Sequence, residues 1–427
     1  MDFTDKSVAL IGFGISNKAL CDYLIAQGIY PNIRCENECE VPRGTCGIFG
    51  KGYLDTYEDI VFRSPSVHPR LLPGGCQTEL ELALGVTSAF KIGVTGSDGK
   101  TTSTTLIYRM LKEGGKNAFI GGNVGSAIIS FAPRLGEKDY LCVEMSSFQL
   151  YGYTPCLDVA LVTNISQNHL DWHENMADYI YAKKNITKKA KRTVLNYDNI
   201  TVRLFGGEKI TYFTTKDASG LLSRDYDFVY ISKGDIYYNR ERLFSIDKIS
   251  LKGKFNLENV LASIGVAYPI VGCEPCKRVA YEFCGVENRM EEVGVIEGVT
   301  FVSSSIDTTP TRSINTLSAF GLSKTVAIMG GYDKNLSYEM LASCLDGLKG
   351  IVVCGENSEK LLEVTKNKRV IKVNTLKEAT SVAFGMAQSG DFVVLSPASA
   401  SYDMFKNYKE KASCFKEAVR GLRNGRN

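Results

Sequence analysis

The sequence predicts an α/β protein of three domains, each built on a largely parallel sheet wound with helices. Short apolar strands that run into a tight turn and then a helical stretch begin near residues 8 and 91, and a third series of strands opens at residue 300. A chain of 427 residues is too long for one hydrophobic core. Its composition, 44% hydrophobic and 23% charged with no long polar tract, is that of an ordinary globular protein.

Taken in order, residues 8–11, the turn Gly12-Phe13-Gly14 and the helical run 17–26 read as strand, turn and helix, the start of a Rossmann-like domain over residues 1–90. Asn17 stands where G-x-G-x-x-G needs its third glycine, so a nicotinamide oxidoreductase has little support. Two readings of the turn stay open. It is a plain first βα unit, or Gly14, Ile15 and Ser16 present a helix N-terminus to a nucleotide diphosphate. A new strand at 91–95 opens the second domain, 91–286, whose strands continue at 140–143, 159–162 and 193–195. The polar stretch 210–249 is expected to form an antiparallel edge on that mostly parallel sheet. Strands at 300–302, 325–329, 350–353 and 392–395, with helical segments between them, predict a second Rossmann-like domain over 287–427.

Fifty Lys and Arg against 47 Asp and Glu leave a net charge of +3, which gives no global field for nucleic acid or an anionic membrane. Any anionic ligand must be held by local groups. No apolar run approaches the roughly 18 residues that insert across a bilayer, and the acids ahead of the first short apolar run argue for a strand and against a signal peptide. A cytoplasmic monomer is expected. The 13 cysteines are scattered, so reduced thiols are expected; neither the Cys273–Cys276 spacing nor Cys35, Cys39 and Cys46 completes a zinc set.

Chemistry concentrates in three motifs, each just after a strand. Gly96-Ser97-Asp98-Gly99-Lys100-Thr101-Thr102 is a phosphate-binding loop, and it makes the middle domain P-loop ATPase-like. Glycines let backbone N–H groups turn toward phosphate oxygens, the helix adds its N-terminal field, Lys100 supplies a cation, and the Thr101 hydroxyl can ligate Mg²⁺. Val94 occupies the place of the first glycine of the strict spacing, leaving a shorter G-x-x-G-K-T form. Glu144, at the end of its strand, faces the crevice where α/β ligands bind; it reads as a magnesium ligand or equally as a helix cap. The third motif, from Asn164 to His173, gathers two of three histidines and the only tryptophan. Leu170 stands where a zinc protease needs Glu, so His169 reads as a ligand of a second cation or as a packed, hydrogen-bonded histidine.

The order of these motifs is continued by Leu251-Lys252-Gly253-Lys254-Phe255-Asn256-Leu257-Glu258-Asn259, then Gly330-Gly331-Tyr332-Asp333-Lys334-Asn335, and finally the segments 395–401 and 402–408. This order resembles the Mur ligases over essentially the whole chain. Residues 144–150 most resemble the member that adds D-glutamate. The resemblance implies three domains, for UDP-sugar, ATP and amino acid in that order, with ATP and Mg²⁺ as cofactors. It implies UDP-N-acetylmuramoyl-L-alanine and D-glutamate as substrates. Gly96 to Thr102 would hold the ATP phosphates, and Thr101, Glu144, His169 and Lys183 would serve the metal, Lys183 as a carbamate. Lys100, Lys183 and His169 form the expected catalytic set. Asn256 and Asn259 would contact adenine and Arg289 the ribose, while Asn123, Ser146 and Gln149 would touch the muramoyl substrate. Glu36 would lie on the uracil side; Lys334, Ser401 and Tyr408 would place D-glutamate. Substrates drawn from three domains imply closure of the third.

The chain departs from the family pattern at Ser304, where Asp is usual, at Phe255 in place of His, and at Ser66 in place of Gly. Lys183 also sits in a basic run with Lys184, Lys188, Lys189, Lys191 and Arg192, the usual mark of a solvated helix face. Two other functions compete. A sibling ligase for another amino acid, or a folylpolyglutamate synthetase, would share the loop; the 146–150 and 401 segments favour D-glutamate. A non-catalytic nucleotide-sugar binder, suggested by Ser304, is separated by ADP formation with all substrates present.

Overall fold

The computed structural model describes residues 2–72, 75–123, 126–169, 172–223, 225–251, 253–333 and 337–424. These form three sheets in two compact units, one made of residues 1–250 and 255–283, the other of 251–254 and 284–427. Among the described residues no helix is long and apolar enough to cross a membrane.

The first unit opens with a four-stranded parallel sheet in the order Cys46–Phe49, Asn32–Cys35, Val8–Ile11, Ile60–Arg63. Val8–Ile11 is buried along its length, which is why it reads as an unbroken apolar run and does not alternate. At its end Gly12 adopts φ +74, and the fully buried Asn17 donates from Nδ2 to the carbonyls of Ile11 (3.1 Å) and Gly12 (2.7 Å). Asparagine therefore stands in place of a glycine because its amide ties the turn to the helix Ile15–Ile25. Removing that amide with Asn17→Ala takes the side-chain donor from the Gly12 carbonyl and one of two donors from the Ile11 carbonyl, and should cost about 1–3 kcal/mol, read as a lower melting temperature. An unchanged melting temperature would mean the tie is idle.

The second sheet has nine strands in the order Glu241–Ser245, Asp235–Tyr238, Tyr226–Ser232, Ile210–Phe213, Lys189–Asn196, Cys156–Val162, Phe90–Thr95, Asp139–Glu144, Asn117–Gly122. The antiparallel edge is narrower than expected. Ile210–Phe213 pairs in parallel with both neighbours, and among the described strands of this sheet Asp235–Tyr238 alone runs against the rest, since Glu241–Ser245, antiparallel to it, turns forward again. Polar alternation there reports one wetter face near the edge, not strand direction. Leu10 and Phe62 of the first sheet share one core with Leu80, Ile128 and Leu141, so the two sheets of this unit are packed together.

In the second unit six strands lie in the order Glu291–Ile296, Val299–Ser303, Phe392–Leu395, Thr325–Met329, Gly350–Val353, Val370–Lys372, all parallel except the first. The two outer strands escape the sequence reading, one because it is charged and broken by a bulge, the other because it has three residues. Alternate residues of the inner strands face opposite sides. Val326, Ile328 and Val352 pack with Ala383 and Phe415, while Ala327, Met329 and Ile351 pack with Leu317, Leu341 and Leu345.

Candidate active site

The phosphate loop joins the central strand Phe90–Thr95 to the helix Lys100–Glu113. Two glycines are required by close approach. A Cβ on Gly96 would collide with the Thr163 hydroxyl, and one on Gly99, at φ +79, with the Asn259 amide. The loop is laced from behind by the segment after the Cys156–Val162 strand: Thr163 Oγ1 donates to Asp98 O (2.6 Å), Asn164 Nδ2 donates to the same carbonyl (3.1 Å), and Asn164 Oδ1 accepts from Asp98 N (3.0 Å). Ser97 Oγ donates to Ser166 O (3.0 Å) and lies 2.8 Å from Tyr179 OH. Lys100 Nζ donates to the carbonyls of Gly96 (3.0 Å) and Ser97 (2.9 Å) at the head of the helix.

Facing the loop, Thr101 Oγ1 donates to Glu144 Oε2 (2.7 Å), and Asn123 Nδ2 donates to Glu144 Oε1 (2.9 Å). Glu144 is buried and caps no helix; Ser146 does, accepting from Gln149 N at 3.2 Å while Gln149 Oε1 accepts from Ser146 N at 2.9 Å. That capping box holds Ser146 and Gln149, two of the expected substrate contacts, close behind Glu144. One carboxylate, one threonine hydroxyl and a lysine beside a helix N-terminus form a hard-oxygen and cation set that fits Mg²⁺ and phosphate.

Lys183 does not lie on a solvated face. It is 1% exposed, and its Nζ donates to Gly96 O (2.7 Å) and Thr95 Oγ1 (3.3 Å) under the loop. Burial, and then the Lys100 charge, hold its amine well below the usual lysine range. Its neighbours Lys188 and Lys189 are exposed, so only this lysine turns inward from the helix Met176–Lys184 and the segment after it. His169 is exposed at φ +54, with its ring 4.9 Å from that of Phe148. The packed histidine is His173, whose ring nitrogens lie 3.0 Å from Asp178 Oδ2 and 2.9 Å from Ser147 Oγ.

Elsewhere in this unit, Asn259 is buried with Oδ1 accepting from Ser103 Oγ (3.3 Å), and Asn256 sits 3.4 Å from it one turn earlier. Phe255 is partly exposed, at 38%. Gly14 and Ile15 are exposed at the N-terminus of the first helix with Ser16 half-buried, and Glu36 is exposed after the second strand. Ser66 offers its carbonyl to Trp172 Nε1 (3.1 Å).

In the second unit Ser401 is buried, and its Oγ makes no hydrogen bond among the described residues. Its loop is tied to the Gly330 turn, where Tyr332 N donates to Ala400 O (2.9 Å) and the buried Lys411 donates to Gly330 O (2.6 Å). Tyr408 begins the helix Tyr408–Asn424 and is half-buried; Lys334 lies outside the described residues. Arg289 is half-buried in the same unit. Beside Ser304 stands a carboxylate the sequence reading missed. Asp307 is 4% exposed and accepts from Ser396 Oγ (2.8 Å), and burial pushes it above the usual carboxylate range. Its signal was an aspartate three residues beyond the departure. Lys411, Tyr179 and His173 were also missed, since nothing in the sequence shows what each touches.

A model of the Mur ligase middle domain matches residues 94–267, and one described as Mur ligase, glutamate ligase domain matches 288–399. A UDP-N-acetylmuramoylalanine–D-glutamate ligase of Acetivibrio thermocellus is 36% identical, with 98% of this chain and 97% of the relative covered; one from Clostridium tetani is 35% identical with the same coverage. Among solved structures, a pseudomurein peptide ligase type C from Methanothermus fervidus aligns with TM-score 0.62 at 15% identity, covering 98% of this chain and 100% of that one. A UDP-N-acetylmuramate–alanine ligase from Thermotoga maritima gives 0.60 at 17%, with the same coverage, and at such identities both speak for the fold alone. With two domain models matched in order and relatives above 30% identity along nearly the full length, the chain belongs to the Mur ligase family.

Proposed function

We propose that the chain is an amide-forming ligase that adds D-glutamate to UDP-N-acetylmuramoyl-L-alanine at the expense of ATP, with Mg²⁺, in building the peptidoglycan precursor. The observation that carries this is Glu144, held at once by Thr101 of the phosphate loop and by Asn123. A carboxylate in that position serves a nucleotide-bound metal better than a helix cap. When bound, ATP supplies the γ-phosphoryl group that makes the substrate carboxylate an acyl phosphate, open to attack by the amine.

The chain's own part is positioning and charge. The N–H groups of Gly96 to Thr102 and the Lys100 ammonium hold phosphate oxygens; Thr101, Glu144, His169 and a carbamate on Lys183 serve the metal. Asn256 and Asn259 face adenine and Arg289 the ribose. Asn123, Ser146 and Gln149 orient the muramoyl-alanine end, and Gly14, Ile15, Ser16 and Glu36 hold the UDP end. Ser401, with its buried hydroxyl lacking a partner among the described residues, receives D-glutamate together with Lys334 and Tyr408. In this reading residues 1–90, 91–286 and 287–427 take UDP-sugar, ATP and amino acid, in a cytoplasmic monomer. Phosphate release assayed with UDP-N-acetylmuramoyl-L-alanine, ATP and a panel of amino acids should require D-glutamate. Equal turnover with L-glutamate or meso-diaminopimelate would sink the substrate assignment.

A further inference from the structure

Ser147, His173 and Asp178 have the composition and hydrogen-bond order of a hydrolase triad, with His173 bridging at 2.9 and 3.0 Å. Burial decides against nucleophilic work. Ser147 and His173 are each 2% exposed, so no substrate carbonyl reaches the serine oxygen. What the bridge joins is more informative. Ser147 opens the short helix Ser147–Leu150 that follows Glu144 and Ser146. Asp178 lies in the first turn of Met176–Lys184, the helix whose Tyr179 meets Ser97 and whose Lys183 meets Gly96. The backbone of His173 also donates to the carbonyl of His169 (2.9 Å). One residue thus touches all three segments that carry Glu144, His169 and Lys183.

We propose that His173 is a positioning residue of the ligase reaction, its imidazole fixing the spacing between the Glu144–Ser147 segment and the helix that carries Lys183. This rests on the ligase reading above. With a neutral ring, Nδ1–H donates to the Asp178 carboxylate and Nε2 accepts from the Ser147 hydroxyl, so the ring serves as a rigid spacer of fixed length. Rings of Trp172 (4.7 Å) and Tyr179 (5.2 Å) pack around it and keep it from turning. A side chain that reaches only one partner cannot replace it.

The test compares the full chain with His173→Ala, His173→Asn, His173→Gln, Ser147→Ala and Asp178→Ala, measuring kcat and KM, thermal unfolding and backbone hydrogen exchange. His173→Ala should lower kcat about 10–100-fold, the range for a group that orients a metal ligand, with KM for ATP within about twofold. Asn keeps an amide near Asp178 and Gln keeps one near Ser147. Each should melt near the wild type yet lose kcat as Ala does, which separates positioning from folding. Exchange should quicken at 147–150 and 176–184 and stay unchanged at 100–113. Ser147→Ala added to His173→Ala should cost nothing more, because the bridge is already gone. Full kcat in the Asn and Gln variants, unchanged exchange, or a Ser147→Ala loss that persists without His173 would each overturn the proposal. So would a Ser147→Ala enzyme as inactive as His173→Ala together with sulfonyl-fluoride labelling of Ser147, since the serine would then be a nucleophile. If the wild type itself shows no D-glutamate-dependent turnover, the ligase reading fails, and the exchange data alone decide whether the clamp exists.

Discussion

Lys183→Ala should be nearly inactive, with a loss of the order of 10²–10³ in kcat, the scale of removing a preorganised charged group from a reaction centre. The reason lies in what burial does to an amine. Lys183 sits 1% exposed beneath Gly96, and desolvation together with the Lys100 charge disfavours its ammonium form. A neutral amine is the form that adds CO₂, giving a carbamate and releasing one proton. The product puts two oxygens where a cation would be repelled by Lys100; Lys100 attracts them, and they would serve as ligands for a magnesium ion. Acetate in the assay should partly restore Lys183→Ala by supplying the missing oxygens, whereas Lys183→Arg has no room for it and no carbamate chemistry and should stay inactive. Lys184→Ala, one residue along, should behave as wild type. Equally mild effects at 183 and 184, or no acetate rescue while nucleotide still binds, would remove the carbamate from the mechanism.

That lysine also shows where sequence reading stops. The strand, glycine turn and helix at 90–113 were legible because the parts are contiguous: strand, glycines, lysine and threonine within a dozen residues, each with a backbone or charge reason to be there. Glu144 was half legible. Its place at a strand end pointed to the crevice, but only the folded chain shows that it bonds Thr101, 43 residues away, and Asn123, and that Ser146 is the helix cap in its stead. Lys183 was singled out by resemblance alone; its burial was hidden by its neighbours, because a basic run reports the average of a surface and not the one side chain that turns inward. His173 was hidden by the opposite effect. It shares a motif with His169, and periodicity cannot say which of two histidines is buried when the backbone at His169 itself leaves regular structure at φ +54. The antiparallel edge is present but was drawn too wide, because alternation encodes wetness of a face; strand direction is set by how the chain returns. Asp307 illustrates the remaining gap. A local turn, in which Asp307 N donates to Ser304 O (3.0 Å), sets this carboxylate beside Ser304, and only folding brings Ser396, 89 residues on, to bond it.

The second large effect belongs to Lys100. Its Nζ donates to two loop carbonyls, Gly96 and Ser97, at 3.0 and 2.9 Å, so its charge is held at the mouth of the glycine turn where the helix N-terminus adds a field of the same sign. Carbonyls are modest partners for an ammonium. Phosphate oxygens carrying the charge that builds during phosphoryl transfer are far stronger ones, and the interaction grows toward the transition state. Lys100→Ala should therefore lower kcat by about a hundredfold or more, the range for losing one preorganised electrostatic group. Lys100→Met keeps most of the apolar stem and should fall as far, because the stem is not what the phosphate meets. Arg keeps the charge but presents a planar fork where a compact ammonium fits between two carbonyls, and should recover only part of the rate. Thermal unfolding of each variant fixes how much of any loss is structural. Should Lys100→Ala turn over near the wild-type rate at equal stability, the loop is not the phosphate site, and the assignment of Thr101 and Glu144 to the metal goes with it.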